Sequence, residues 1–266
     1  MKIRILGTAA AEGWPGLFCN CEICQKVRKL KGKDIRTRSS VLIDDTLMID
    51  AGFDNFMHSL QEGVDFRKIK DVFITHSHAD HFNKYDLYLI FHYDMSLYGN
   101  KEVIDEMMTL DVPEKYSGIN LMCPYETVKT SDGHIVTSVK AEHSPEKVID
   151  MNYIIQNNGK TVAYLTDSGL YKDEKTWEFL SKYKFDIVIS ECTSGWNTYE
   201  PFYHQTFQGV CDAKKRFVEL GCINENTPYY ITHFSHNNAG VMHEEMCRRC
   251  KPFGITVCYD GMDIVL

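Results

Sequence analysis

Apolar and polar positions change period repeatedly along this chain, and each change predicts an element. KIRILGT (2–8) alternates as a half-buried strand does. SSVLIDDTLMIDAG (39–52) is two short apolar runs around Asp44-Asp45, a hairpin pattern. Residues 53–62 read as a helix and KIKDVFITHS (68–77) as a buried strand. Strand-like runs follow at 134–141 and 151–156, and Asn157-Asn158-Gly159-Lys160 is a turn leading into TVAYLTDSG (161–169). Next come a helix (172–183), the strand FDIVISECT (185–193), a helix (205–220), the strand PYYITHFSH (228–236), a helix (239–250) and two short strands. The stretch 85–130 is the least regular. It carries six tyrosines and more acidic than basic residues, and reads as a partly helical insertion, either one overhanging a site or a packing subdomain.

Both halves are rich in strands, with helices interspersed. Two packed sheets with helices outside would bury such a pattern, which makes the fold class α/β. No low-complexity linker or solenoid repeat divides the chain, so residues 1–266 are expected to form one domain. The polar clusters then fall at strand ends: 76–81, 143, 167, 204 and 233.

Composition narrows the function. The net charge of −8 and the pI near 5.8 disfavour general nucleic-acid binding, which relies on basic residues neutralising phosphates. No apolar run reaches the ~20 residues of a membrane span. The opening residues read as a strand and not as an export signal, so a cytoplasmic location is expected. The ten cysteines are then expected to be thiols or metal ligands.

FITHSHADHF (73–82) concentrates His76, His78, Asp80 and His81 just after an apolar run. Alternate side chains of an extended segment share a face, so His76 and His78 point together. Asp80 and His81 follow where the chain turns. Four ligands in six residues overfill one open metal site but suit two adjacent ones. Two ions ~3.5–4 Å apart can hold a bridging hydroxide and clamp attacking and leaving oxygens. His143, Asp167 and His233 each lie just past a strand and can complete the set, and Zn, Mn or Fe all suit such ligands. His58, His92, His134 and His243 stand alone and read as surface or core residues.

Cys19, Cys21 and Cys24 have the spacing C-x-C-x2-C within residues 16–27. Three thiolates so close bind metal, and a tetrahedral structural zinc needs a fourth ligand. His236, three residues beyond His233, is the preferred candidate, and Cys247 with Cys250 the competitor.

THSHADH resembles the signature of the metallo-β-lactamase superfamily. His143, Asp167 and His233 are similar to its later ligands in order and context, and Asp50 in MIDAG to its acidic position before the first helix. The resemblance covers essentially the whole chain and implies a four-layer αββα sandwich. It places His76, His78 and His143 on one metal and Asp80, His81 and His233 on the other, with Asp167 bridging. Histidine at 78 and aspartate at 167 depart from redox di-iron relatives and from many lactamases, respectively. LGTAAAEGWPGLFCNCEIC (6–24) resembles the start of the cyclic phosphate phosphodiesterases that work beside the carbon–phosphorus lyase pathway. Those proteins hold a structural zinc with such a loop and a later histidine. The PqqB proteins of pyrroloquinoline quinone synthesis share this opening.

What the resemblance implies is a dinuclear hydrolase acting on a small (cyclic) phosphodiester. His204 is its implied general acid, and Asp80 is both ligand and catalytic residue. A tRNA 3′-processing nuclease and a thioester or lactam hydrolase would use the same ligands. A homodimer is also expected from the family.

Overall fold

The computed structural model describes residues 1–144, 148–198, 203–239 and 241–266. Strands β1 (Lys2–Gly7), β2 (Ser40–Ile43), β3 (Leu47–Ile49), β4 (Asp71–Phe73), β5 (Ser96–Gly99) and β6 (Ile119–Leu121) lie in one sheet. The other sheet takes β7 (Thr127–Lys129), β8 (Ile135–Lys140), β9 (Met151–Asn157), β10 (Lys160–Leu165), β11 (Ile187–Glu191), β12 (Tyr229–Thr232) and β13 (Ile255–Val257). Strand β14 (Met262–Val265) returns to the first sheet, antiparallel to β1, with Lys2 opposite Val265. The helices are α1 (Glu22–Leu30), α2 (Asn55–Gln61), α3 (Lys84–Leu87), α4 (Lys101–Met107), α5 (Glu174–Leu180), α6 (Phe207–Glu219), α7 (His236–Ala239) and α8 (His243–Cys250).

Alternation along the strands builds three apolar layers. Ile3, Ile5, Ile43, Ile49 and Phe73 of the first sheet face Tyr153, Val162, Tyr164, Ile187 and Ile189 of the second. Met48, Val72 and Leu97 point outward, beneath α3 and α4, whose Leu87, Val103 and Met107 join them. On the other side Ala163, Val188 and Ile231 point outward, beneath α5, α6 and α8. The result is the αββα sandwich of a metallo-β-lactamase fold. Among the described residues no helix is long and apolar enough to cross a membrane.

Local signals explain the connections. The β2–β3 hairpin turns at Asp44 and Asp45, with φ of 49° and 60°, and the β9–β10 hairpin at Asn158 and Gly159, with 50° and 72°. Two successive positive φ values give the turn whose twist matches paired strands. The helix expected over 239–250 begins only at His243, after the short turn of α7.

The stretch 85–130 differs from its expectation. It carries α4 and also β5 and β6, which pair in parallel beside β4, and β7, which pairs with β8. It is a sheet edge more than an added insertion. β5 (SLYG), β6 (INL) and β7 (TVK) lack the continuous apolar runs that mark β2 (SVLI) and β3 (LMI).

Strands β3 and β4 are parallel, as are β10, β11 and β12, and β8 shares their direction because both flank antiparallel β9. Each sheet's functional candidates follow these strands' C-terminal ends.

Candidate metal centre

The chain leaves β3, β10 and β12 through residues with left-handed backbone. Asp50, Asp167 and His233 have φ of 62°, 46° and 58°. Aspartate and histidine enter this region more readily than most side chains. Beyond β4, the 76–81 segment brings in its histidines and Asp80, and beyond β8 the chain brings in His143.

These seven candidates come together as two adjoining groups. His76, His78 and His143 form one, and Asp80, His81, Asp167 and His233 the other. His78 Nδ1 lies 2.9 Å from His76 Nε2 and 3.2 Å from His143 Nε2. Nitrogens bound to one zinc at ~2.0–2.1 Å in tetrahedral geometry would be about 3.3 Å apart. In the second group His81 Nε2 lies 2.7 Å from Asp167 Oδ2 and 3.2 Å from Asp80 Oδ2. Asp167 Oδ2 is also 3.4 Å from His76 Nε2, so one oxygen borders both groups.

The surroundings set the tautomers. His81 Nδ1–H donates to Asp50 Oδ2 at 2.7 Å. Thr75 gives its hydroxyl proton to Asp50 and so accepts from His76 Nδ1–H at 3.0 Å. His143 Nδ1–H donates to the Tyr203 carbonyl at 3.3 Å, and His233 Nδ1 meets Thr193 Oγ1 at 2.7 Å. Each of these rings thereby turns its Nε2 lone pair toward the centre, as second-layer partners do around bound metals.

The centre consequently holds acceptors facing acceptors. His81 Nε2, His233 Nε2 and Asp167 Oδ1 are buried with no hydrogen-bond partner. Burial alone would raise the Asp80 and Asp167 carboxyls, yet the neighbouring imidazoles hold both well below the usual carboxylate range. Burial would lower His81, and the carboxylates of Asp80, Asp50 and Asp167 pull it strongly upward instead. Both effects express one demand, for positive charge between these groups. Divalent cations meet it with the ligand types that Zn, Mn and Fe accept.

His204 stands at the edge of this centre, about a quarter exposed. Its Nδ1 is 3.1 Å from Glu191 Oε1 and 3.4 Å from Asp167 Oδ1. Glu191 is fully buried at the end of β11 and accepts from the backbone N–H groups of Ser168 and Thr193 at 2.7 and 3.1 Å. Burial works against the imidazolium, but Glu191, then Asp167 and Asp80, raise His204 to about 9 in the protein alone. The sequence reading missed Glu191, Thr75 and Thr193. Only Glu191 left a trace, as a charged residue closing an apolar strand.

A second centre lies at the cysteine loop. Cys19, Cys21, Cys24 and His236 place their donor atoms within 4.8 Å of one another. Cys21 caps α1 and accepts from Cys24 N–H at 3.4 Å, and Cys19 accepts from Cys21 N–H at 3.5 Å. The bond from Cys24 N–H favours the Cys21 thiolate, while burial pushes the Cys24 thiol up to about 12. Arg28 clamps the loop through the carbonyls of Cys19 and Gly16, both at 2.7 Å. A Cβ on Gly16 would lie 2.6 Å from His236 Nε2, so only glycine leaves the histidine its place. This donor set fits a tetrahedral zinc.

Cys247 and Cys250 stay apart from this loop. Cys247 Sγ is 3.5 Å from His243 Nε2, and Cys250 is buried. His58 and His134 are buried on Thr37 and Asp44, and His92 is exposed. None of these four lone histidines joins a donor cluster among the described residues.

A model of the β-lactamase superfamily domain matches residues 45–249. No curated protein matches the chain in sequence. Among solved structures, a diphosphatase from the PhnP family superposes with a TM-score of 0.74 at 23% identity, over 99% of this chain and 96% of the other. Zn2+-bound PqqB from Methylobacterium extorquens gives 0.77 at 18% identity over 100% of both chains. The short form of human tRNase Z gives 0.65 at 18%, over 100% of this chain and 99% of the other. At these identities the likeness is one of fold.

Proposed function

The chain belongs to the β-lactamase superfamily, and from that premise we propose that residues 1–266 form one catalytic unit, a dinuclear metal-dependent phosphodiesterase for a small, cyclic or linear, phosphodiester. The observation that carries this reading is the His204–Glu191 pair at the edge of the ligand cluster, 3.1 Å between Nδ1 and Oε1. An alkoxide leaving group needs a proton, whereas a thiolate can depart without one. The PhnP-family diphosphatase of the same fold supports phosphoester chemistry.

His76, His78 and His143 would hold one ion, and Asp80, His81 and His233 the other, with Asp167 between them. Such ions, when bound, supply Lewis acidity and a water of lowered pKa. The remaining work falls to the chain. Asp80 and Asp167 fix the positions of charge at the centre, and Asp80 orients the attacking water by accepting its hydrogen bond. His204 donates Nδ1–H to Glu191, which holds the ring and leaves Nε2 to give its proton to the departing oxygen. Raised to about 9 by Glu191, Asp167 and Asp80, His204 keeps that proton at neutral pH. The cysteine centre would hold one structural zinc and fix the loop before α1.

The test compares hydrolysis of bis(p-nitrophenyl) phosphate, p-nitrophenyl phosphate, a five-membered cyclic sugar phosphodiester, a thioester and a β-lactam by metal-loaded protein. The reading expects diester turnover, with His204→Ala slowing the cyclic substrate far more than the p-nitrophenyl diester, whose leaving group scarcely needs a proton. Thioester or lactam turnover without diester turnover would overturn it.

A further inference from the structure

The cysteine loop carries large apolar residues where turns ordinarily carry small polar ones. Cys19 N–H donates to the Gly16 carbonyl at 3.0 Å, closing a turn whose two central residues are Leu17 and Phe18. Both stand in solvent, Leu17 at 75% and Phe18 at 98% of full exposure. The turn is nonetheless fixed. Arg28 donates to the carbonyls at its two ends, those of Gly16 and Cys19, at 2.7 Å each. A tip held this firmly and this apolar gains nothing from water.

Helix α1 continues the same surface. It buries Cys24 and Val27 and turns Gln25, Lys26 and Lys29 outward, with Leu30, 71% exposed, at their edge. Gln25, Arg28 and Lys29 line one shallow hollow together with Leu17 and Phe18, so the cations and the apolar tip are contiguous. Lys31 and Lys33 follow, both exposed. Residues 23–33 hold five basic residues and no acidic one, in a chain with 37 acids against 29 bases. Glu22 pairs with Lys26, and Lys33 lies over the Tyr259 ring at 3.8 Å, which leaves Arg28, Lys29 and Lys31 nearest the tip.

Cations beside apolar side chains suit an anionic lipid surface. There the cations meet headgroup phosphates while the apolar tips enter the acyl boundary. A nucleic acid would satisfy the cations and can stack on Phe18, but it offers nothing to the two exposed leucines. We infer that the face formed by residues 16–33 docks the chain on a membrane surface rich in anionic lipids. Leu17, Phe18 and Leu30 insert, and Arg28, Lys29 and Lys31 rest on the phosphates. Such docking needs no spanning helix and is independent of the catalytic reading.

Sedimentation of the zinc-loaded, full-length protein with lipid vesicles tests it. The wild type is expected to sediment with phosphatidylcholine vesicles containing roughly one-third phosphatidylglycerol, and to be released by added salt. With phosphatidylcholine alone it should stay in solution. Phe18→Ser and, separately, Leu30→Ser are expected to weaken partitioning roughly tenfold. Lys29→Gln combined with Lys31→Gln should weaken it about fivefold per lysine. Zinc content and circular dichroism report whether each variant keeps its loop, and Leu30→Ser, outside the loop, carries the test if Phe18→Ser loses zinc. Lys101→Gln is the control, because Lys101 is exposed on α4, in the helix layer of the other sheet. It should sediment as the wild type does. A wild type that ignores anionic vesicles overturns the proposal, in favour of nucleic acid if it binds a short fluorescent single-stranded RNA instead. Vesicle binding that survives the Phe18, Leu30 and lysine variants overturns it as well.

Discussion

The two candidate metal centres are built by opposite strategies. The cysteine centre draws three ligands from six consecutive residues and one from far away, and its loop lies at the surface with Cys21 exposed. The histidine–carboxylate centre draws from four strand ends across both sheets and is nearly all buried. In the first, the loop leaves Leu17 and Phe18 exposed, and its donor atoms converge with little apolar packing around them. In the second, Asp50, Thr75, Thr193 and the Tyr203 carbonyl anchor the rings from behind, within the sandwich. One centre serves the fold, and the fold serves the other.

Breaking that contrast starts with Asp80→Ala. It removes a ligand from a site that the sheets already shape, so phosphodiester turnover should drop to background. Thermal unfolding followed by circular dichroism should shift by only a few degrees. Residual wild-type turnover would remove Asp80 from the centre. Next is Glu191→Gln, which keeps the side chain's size but weakens its hold on His204. We expect ~10²-fold slower cleavage of an alkyl diester and a far smaller change for a p-nitrophenyl diester. Equal losses on both would mean that Glu191 only supports the fold.

Cys21→Ala should act the other way. Zinc content by mass spectrometry should fall by one ion per chain, and the melting temperature by roughly 10 °C, taking ~3 kcal/mol for a lost metal site and ~2–4 °C per kcal/mol. An unchanged melting temperature would deny the loop its structural role. The smallest effect concerns a histidine of neither centre. Burial lowers His58 to about 4, with Asp54 partly opposing. Its folded value lies below the unfolded value near 6.5, so the unfolded chain takes up the proton first. Stability from the neutral ring is full above pH 6.5 and is lost as pH falls toward 4, by about 3 kcal/mol at most. Urea titrations across that range should show a shallower acid loss in His58→Gln.

The same contrast explains what the sequence reveals. HSHADH and CNCEIC are legible because several ligands fall within one turn of chain, a density that packing never requires. His143, Asp167 and His233 are legible because each ends an apolar run, and His236 because it shares a short turn with His233. Glu191, Thr75 and Thr193 are another matter. Glutamate and threonine are common at strand ends, and only the folded sheets show that these face a histidine nitrogen. The fold reads similarly. Strands β8 to β11 announce themselves by length, whereas β5 and β6 are known only through their parallel partners.

The left-handed backbone at Asp50, Asp167 and His233 has a consequence for how such a chain can evolve. A non-glycine residue in that conformation costs on the order of 1 kcal/mol or more. Glycine at any of the three would relax the backbone while deleting a side chain of the centre. Selection for sturdiness alone would therefore erode this site first, one residue at a time, and leave an intact sandwich with nothing to do. Those three aspartate and histidine side chains sit where the backbone alone would favour glycine.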